Sequence, residues 1–258
     1  MSLGVMGSSA GANASGWKEI ARYDTAGSYT WTCPKTAIYG VFIVGGGGSG
    51  AAGKATSSST NQIACGGAGG YVKSVNGQIT NGTSFAVTVG AGGASVSKTS
   101  AGVQAGIAGG SSSFGTVSAG GGEGGKSGNT SISLGGQNSS YNTSRYGPYL
   151  APSTYASSSS VYMAHLFLVN PYTGLYCVGN GGGAVTQSSE SSDSQYSGGK
   201  NALTGLGGGD GVKSRAAAVV GESASEFGSG GGAAVGFNYN ATSGAGADGI
   251  VIIYEKEE

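Results

Sequence analysis

Runs of β-forming residues pass straight into runs of glycine along most of this chain, and few folds accept that grammar. Ile38-Tyr39-Gly40-Val41-Phe42-Ile43-Val44 enters Gly45-Gly46-Gly47-Gly48-Ser49-Gly50, and Gly66-Gly67-Ala68-Gly69-Gly70 leads into Tyr71-Val72-Lys73-Ser74-Val75. Ser84-Phe85-Ala86-Val87-Thr88-Val89 enters Gly90-Ala91-Gly92-Gly93. Gly109-Gly110 precedes a strand at Ser113-Phe114-Gly115-Thr116-Val117-Ser118, which runs on to Gly120-Gly121-Gly122-Glu123-Gly124-Gly125. Glycine loses more backbone freedom on folding than any other residue. A glycine tract is therefore either a flexible linker or something ordered that needs the missing side chain. The ordered form is a helix of polyproline-II type, with three residues per turn and no internal hydrogen bonds. Its N–H and C=O groups point outward and require partners. Helices without side chains approach closely enough to supply them to each other, with Cα–H···O contacts as a smaller term. Such a layer has little apolar driving force and needs strands to clamp its ends. Strands are what the sequence places there. The later tracts at 179–183, 207–211 and 228–232 are candidates for the same layer.

Composition favours the ordered form. Disorder usually combines high net charge with few aromatics. Here the formal net charge is zero, and 14 Tyr, 6 Phe and 2 Trp within an apolar fraction of 38% can supply a core. Nucleic-acid binding needs a basic footprint, and the 12 Lys and Arg are scattered. No apolar stretch approaches the ~20 residues of a membrane span, so no membrane insertion is expected. Met1-Ser2-Leu3-Gly4 lacks the basic and apolar regions of a secretory signal. Cys33, Cys65 and Cys177 are odd in number and show no metal-ligand spacing, which suits free, buried thiols acting as small hydrophobes.

Period-2 patterns dominate and helical ones are nearly absent. Residues 1–16 read as an arm or linker. Residues 17–258 read as one all-β domain with a Tyr/Ser-rich insertion at 137–197. In Ser28 to Pro34, Tyr29, Trp31 and Cys33 share one face and Thr30 and Thr32 the other. Ile38 to Val44 is apolar on both faces and suits a central strand. Asn81-Gly82 is a turn signal before a strand that turns Phe85, Val87 and Val89 to the core. Gly249 to Tyr254 is the last strand, followed by a solvated tail, Glu255 to Glu258. The N-terminal half and this final strand make a sandwich closed by its own C-terminus, as in a jelly roll.

The motifs that resemble chemistry do not hold together. Gly120 to Ser127 matches the phosphate-binding P-loop formally, but no helix follows to hold a phosphate. Gly7-Ser8-Ser9-Ala10-Gly11 matches a nucleophile elbow without the strand that shapes one. Asp210 and Asp248 lie in glycine tracts, where a turn or cap role is the plain reading. No catalytic residues, cofactor or metal are expected, and the chain is not expected to be an enzyme. A polysaccharide-cleaving spike would instead need two acids converging in a groove.

Tyr29-Thr30-Trp31-Thr32-Cys33-Pro34, followed by Val41-Phe42-Ile43-Val44-Gly45-Gly46-Gly47-Gly48, resembles the opening of glycine-rich domains in phage tail-fibre, receptor-binding proteins. Ala68 to Val72, Val87 to Gly93, Gly110 to Gly115 and Gly246 to Ile253 continue the likeness in order. The same order is similar to the glycine-rich domain of anaplastic lymphoma kinase-type receptors. The resemblance covers about half the chain and implies a tumour-necrosis-factor-like jelly roll, a β-sandwich with polyglycine-II-type helices. It also implies a virion location in a tail fibre or tail tip, homo-oligomers (trimers by analogy), and contacts with other virion tail proteins. The implied function is binding a bacterial surface glycan or protein. The alternative is a purely structural virion decoration or fibre-shaft element.

The insertion carries eight of the chain's 14 Tyr in a Ser- and Asn-rich setting. Tyr offers amphipathic contact at low entropy cost, and Ser and Asn offer adaptable hydrogen bonds. Tyr141, Tyr146, Tyr149, Tyr155, Tyr172 and Tyr196 are therefore the candidate receptor-binding residues, with gap-filling by ordinary packed Tyr as the plain alternative. Val161 to Val169 reads as a core or interface strand, with His165 packed in it.

Overall fold

The computed structural model describes residues 16–56, 62–128, 155–157, 160–162, 168–173, 176–177, 185–187, 194–196, 208–214 and 216–258. They form strands and connections with no helix among them. The strands are β1 Trp17–Tyr23, β2 Gly27–Thr32, β3 Ala37–Val44, β4 Ala52–Ala55, β5 Gln62–Ala64, β6 Val72–Ile79, β7 Ser84–Val89, β8 Ser97–Lys98, β9 Gly102–Gln104, β10 Ser112–Phe114, β11 Val117–Ala119 and β12 Ser127–Gly128. They continue with β13 Tyr155–Ser157, β14 Ser160–Tyr162, β15 Leu168–Val169, β16 Tyr176–Cys177, β17 Val185–Gln187, β18 Ser194–Tyr196, β19 Gly211–Ser214, β20 Val219–Val220, β21 Ala234–Phe237, β22 Ala241–Thr242 and β23 Ile250–Lys256.

Two antiparallel sheets, β1-β23-β3-β6 and β11-β10-β7-β2, face each other as a sandwich. The alternation in the sequence sets the facing. Tyr39, Val41 and Ile43 of β3 and Val251 and Ile253 of β23 meet Trp31, Val87, Val89 and Phe114 from the opposite sheet. Trp31 holds the centre, with its ring 5.3 Å from Tyr39 and 5.8 Å from Phe114. The C-terminal β23 lies between β1 and β3, so the chain closes its own sandwich as the sequence implied. β3 and β23 are buried on both faces, because Phe42, Val44, Ile250, Ile252 and Tyr254 pack in a second cluster on the far side.

Two strand readings change. Ser113 to Ser118 is not one strand but the β10–β11 hairpin, in which Gly115 takes φ +55° and lets the chain reverse. Of the run Val161 to Val169, the first residues pair in β14 with β13 and the last in β15 with β16, and 163–167 lie outside the described residues. His165 lies outside the described residues. The tail is shorter than expected, because β23 runs on to Lys256 and Glu255 ion-pairs with Lys35 at 2.7 Å. Cys33 and Cys65 are buried, and among the described residues neither forms a disulfide. Burial pushes the Cys65 thiol up to about 11, with Lys126 pulling it back in part.

The glycine tracts are ordered, and their hydrogen bonds repeat every third residue. In the tract 45–51, the N–H groups of Gly45, Gly48 and Ala51 donate to Tyr71, Ala68 and Cys65 at 2.9 Å each. Gly46 and Ser49 donate to Gly110 and Ile107, and Gly47 and Gly50 to Ala247 and Gly244. A partner that changes with each residue and returns on the third is the signature of three residues per turn. The carbonyls look the other way. Gly46 and Ser49 accept from Gly122 and Gly125, Gly47 from Gly93, and Gly48 from Gly231. Among the described residues the tract 45–51 thus has six neighbours, three taking its protons and three supplying theirs. Outer tracts bond in the same rhythm. Cys65, Ala68 and Tyr71 donate to Lys126, Glu123 and Gly120, and Ser243, Gly246 and Gly249 donate to Val96, Gly93 and Gly90.

Glycine is required here by distance. A Cβ on Gly47 would fall inside van der Waals contact of the Ser229 carbonyl oxygen, and one on Gly48 would do the same to Glu123. The hydrogen standing in that place makes a Cα–H···O contact instead. The one side chain tolerated within 45–50 is Ser49, whose Oγ accepts the Ile107 N–H at 2.8 Å, standing in for a carbonyl. Each tract is clamped at both ends: 45–51 joins β3 to β4, 65–71 joins β5 to β6, and 90–96 joins β7 to β8. The pattern continues with 105–111 from β9 to β10, 120–126 from β11 to β12 and 243–249 from β22 to β23. The sandwich holds one end. Short strands, in the orders β18-β19-β21-β4-β9, β20-β22-β8 and β12-β5-β17, hold the other. Of the later tracts, 228–232 joins the layer, as do Gly209 and Asp210; 179–183 lies outside the described residues.

Gly47→Ala should cost at least about 3 kcal/mol, since the obstructing atom is backbone and cannot rotate away. Gly77→Ala, on the exposed edge strand β6 with nothing within 4 Å of the added methyl, should be neutral or stabilise by up to about 1 kcal/mol. Urea midpoints of the two variants test the contrast.

Candidate functional site

The end of the glycine layer away from the sandwich, here the distal end, carries the insertion. β12 leads into it and β17 and β18 return from it. β17 pairs antiparallel with β5, Val185 opposite Ala64, and β18 pairs with β19, Tyr196 opposite Gly211. Between these roots the insertion is pinned once more, on the outer face of the sandwich. Asn170 and Tyr172 sit in a turn there, 2% and 3% exposed.

That pin is a packed polar–aromatic unit. Gly40 leaves a notch in β3, and a Cβ there would overlap the Tyr172 ring. The ring contacts Trp17 edge-on at 4.9 Å and Tyr254 at 5.2 Å. Its hydroxyl donates to the Val75 carbonyl of β6. Asn170 Oδ1 accepts the Tyr172 N–H at 3.0 Å, and its Nδ2 donates to the Tyr254 hydroxyl at 2.8 Å. Burial pushes the Tyr172 phenol up to about 12, so it is a neutral donor at any ordinary pH.

The six candidate tyrosines therefore divide. Tyr172 is an anchor rather than a presented side chain, because Gly40 makes room for it and Val75 takes its proton. Tyr155 lies in the β13–β14 hairpin, opposite Tyr162 in the register, and Tyr196 lies in β18. Tyr141, Tyr146 and Tyr149 lie outside the described residues. Tyr239, which is not among the six, is 40% exposed at a corner of the distal strands between β21 and β22. A solitary Tyr between two Asn, outside the Tyr-rich stretch, carried no periodic signal.

The formal phosphate motif is part of the layer. Gly122 and Gly125 spend their N–H groups on Gly46 and Ser49, so those amides cannot cradle an anion. Lys126 pairs with Glu123 at 2.7 Å. Asp248 does act as a cap: its Oδ1 accepts from Gly92 at 2.8 Å and its Oδ2 from Ala26 at 3.1 Å. Asp210 and Glu222 tie two tracts together, each backbone N–H donating to an oxygen of the other residue. Among the described residues no three His, Cys, Asp or Glu side chains converge as a metal site would require.

This chain belongs to the glycine-rich domain family, whose model matches residues 24–255. The match runs from the turn before β2 into β23, and so takes in the glycine layer together with nearly all of the sandwich that clamps it. No curated protein matches the chain.

Tyr172→Ala should lower stability by about 3 kcal/mol and Tyr172→Phe by about 1 kcal/mol. Gly40→Ala should be costly in the native background and much cheaper alongside Tyr172→Ala, because the obstruction is then gone. Additive costs in a double-mutant cycle would show that the ring does not occupy the notch.

Proposed function

We propose that this glycine-rich domain is a non-catalytic receptor-binding module of a phage tail fibre or tail tip, recognising a glycan or protein on a bacterial surface. The observation that carries the reading is the attachment of the Tyr/Ser-rich insertion. It is rooted on the distal strands through β17 and β18 and pinned to the sandwich through Tyr172. A surface built on a scaffold held at both ends loses little freedom when it engages a partner, and binding energy is then spent on contact. The layer beneath suits an extracellular task. Its bonds run between uncharged backbones, so they do not depend on ionisation or salt. Few charges are available for steering, with 12 Lys and Arg against 12 Asp and Glu, which favours recognition by aromatic and hydroxyl or amide groups.

Replacing Tyr146, Tyr149 and Tyr155 together with Ala should abolish binding to host cells in a pull-down assay while the urea midpoint stays within about 1 kcal/mol of the parent. Tyr172 is left in place because it belongs to the fold. Undiminished binding by that folded variant would remove these residues from the recognition surface. A parent protein that binds no host cell but co-assembles with tail proteins would favour the structural role instead.

A further inference from the structure

Fourteen aromatic residues have described side chains, and among them Tyr239 is the one that is exposed. The rest are buried or half-buried around the sandwich, the glycine layer and the distal strands. Tyr239 lies in the exposed run Asn238-Tyr239-Asn240, where the chain turns from β21 to β22.

The corner is rigid for reasons visible in its bonds. Asn238 takes φ +61°, a left-handed conformation that Asn tolerates better than most residues. Its N–H donates to the Ala55 carbonyl at 2.7 Å, and the Asn240 carbonyl accepts from Val219 at 3.0 Å. Lys54 Nζ donates to Asn240 Oδ1 at 3.1 Å and to the Thr99 carbonyl at 3.0 Å. Gly236 lies so close beneath that a Cβ would crowd the Tyr239 carbonyl. Both flanks of Tyr239 are thus tied to neighbouring strands, and an aromatic ring is held out on a fixed backbone. The chain leading into the Val219 bond is Ala216-Ala217-Ala218, all exposed and without bulk to cover a ring.

We propose that Tyr239 is a sugar-stacking residue and that the corner 238–240 binds a pyranose of a bacterial surface polysaccharide. The inference rests on the receptor-binding reading and names its ligand class at this position. The chemistry discriminates among partners. A protein partner anchored here would need a contiguous apolar patch, and beside Tyr239 the exposed residues of this corner and of the chain entering β20 are Asn and Ala, with Val220 the one large apolar side chain among them. Lys54 keeps its positive charge beside the corner, because Asn240 and Thr99 give it only neutral oxygens, so an acidic substituent on a sugar would also be accommodated. A pyranose presents one apolar C–H face to stack on a ring and a rim of hydroxyls to bond. Because Lys54 engages the Asn240 carbonyl oxygen, the NH2 of that amide is the group left to donate to a hydroxyl. Asn238 supplies a second exposed amide on the other flank.

The test uses the full chain with isotope-labelled Tyr and a panel of methyl pyranosides (gluco, galacto, manno, rhamno and N-acetylglucosamine). NMR titration should move the Tyr239 ring signals with at least one of them, and saturation transfer should mark that sugar's C–H face. Tyr239→Phe should keep the binding, and Tyr239→Ala should weaken it by at least about tenfold, one aromatic contact's worth. The wild-type titration requires no variant, so a misfolded Tyr239→Ala protein does not spoil the test. Ring signals unmoved by every pyranoside, or equal binding by a folded Tyr239→Ala protein, would overturn the proposal. Cell binding separates it from the reading it rests on. Host cells bound as well by Tyr239→Ala as by the parent would sink this site and leave the receptor-binding reading standing. A parent that binds no host cell would sink that reading, whatever the sugars do.

Discussion

Hydrogen bonds between bare backbones, repeating every third residue, are what this structure depends on. A tract such as 45–51 is buried and makes no hydrogen bonds within itself, so every N–H and C=O must find a partner on another tract. Leaving one unmet costs about 1–3 kcal/mol, and the tract 45–51 donates seven such bonds in succession. The arrangement is therefore cooperative. Its neighbours must be in register together, and the register must be imposed from outside, since nothing in a glycine helix distinguishes one residue from the next. Strands impose it. Each tract continues a strand whose side chains can lie in only one phase, because a one-residue slip would turn Val41 and Ile43 out of the core. The sandwich supplies the apolar energy, and the tracts convert it into a second ordered layer that has almost none of its own.

That division of labour bears on function. A layer of this kind has no side chains to spare for recognition, and its amides are consumed by one another, as Gly122 and Gly125 show at the formal phosphate motif. On the proposed receptor-binding reading, recognition sits where the tracts end and side chains resume. The distal strands are such a place, with the insertion rooted on them and Tyr239 held at their corner. Tyr172 shows the opposite use of the same residue type, an aromatic spent on anchoring. The difference between the two tyrosines is the environment: a notch over Gly40 in one case, an exposed corner between two Asn in the other.

Much of the sandwich was legible because its strands obey period-2 alternation. Trp31 and Cys33, then Phe85, Val87 and Val89, face where the alternation points them, and the polyglycine form of the tracts follows from their lack of side chains. The rest failed for identifiable reasons. β1 has a bulge between Glu19 and Ala21 that breaks its alternation, leaving Trp17, Ile20, Ala21 and Tyr23 without a recognisable phase. β4 and β21 are short and rich in Ala and Gly, and their parallel pairing is set by the tracts that precede them. Which tract neighbours which is a three-dimensional fact that runs of identical residues cannot encode. The Tyr172 anchor depends on a lone glycine in β3, 132 positions earlier in the chain, and no local pattern links the two.

Amide hydrogen exchange resolved by residue tests the central claim most directly. If the tract 45–51 is locked by its six neighbours, the N–H groups of Gly46 to Gly50 should be protected as strongly as those of β3 and β23, and should be lost with them in one global opening. Rapid exchange of those glycines while β3 and β23 stay protected would show that the layer is not held by its mutual bonds, and the account would fail.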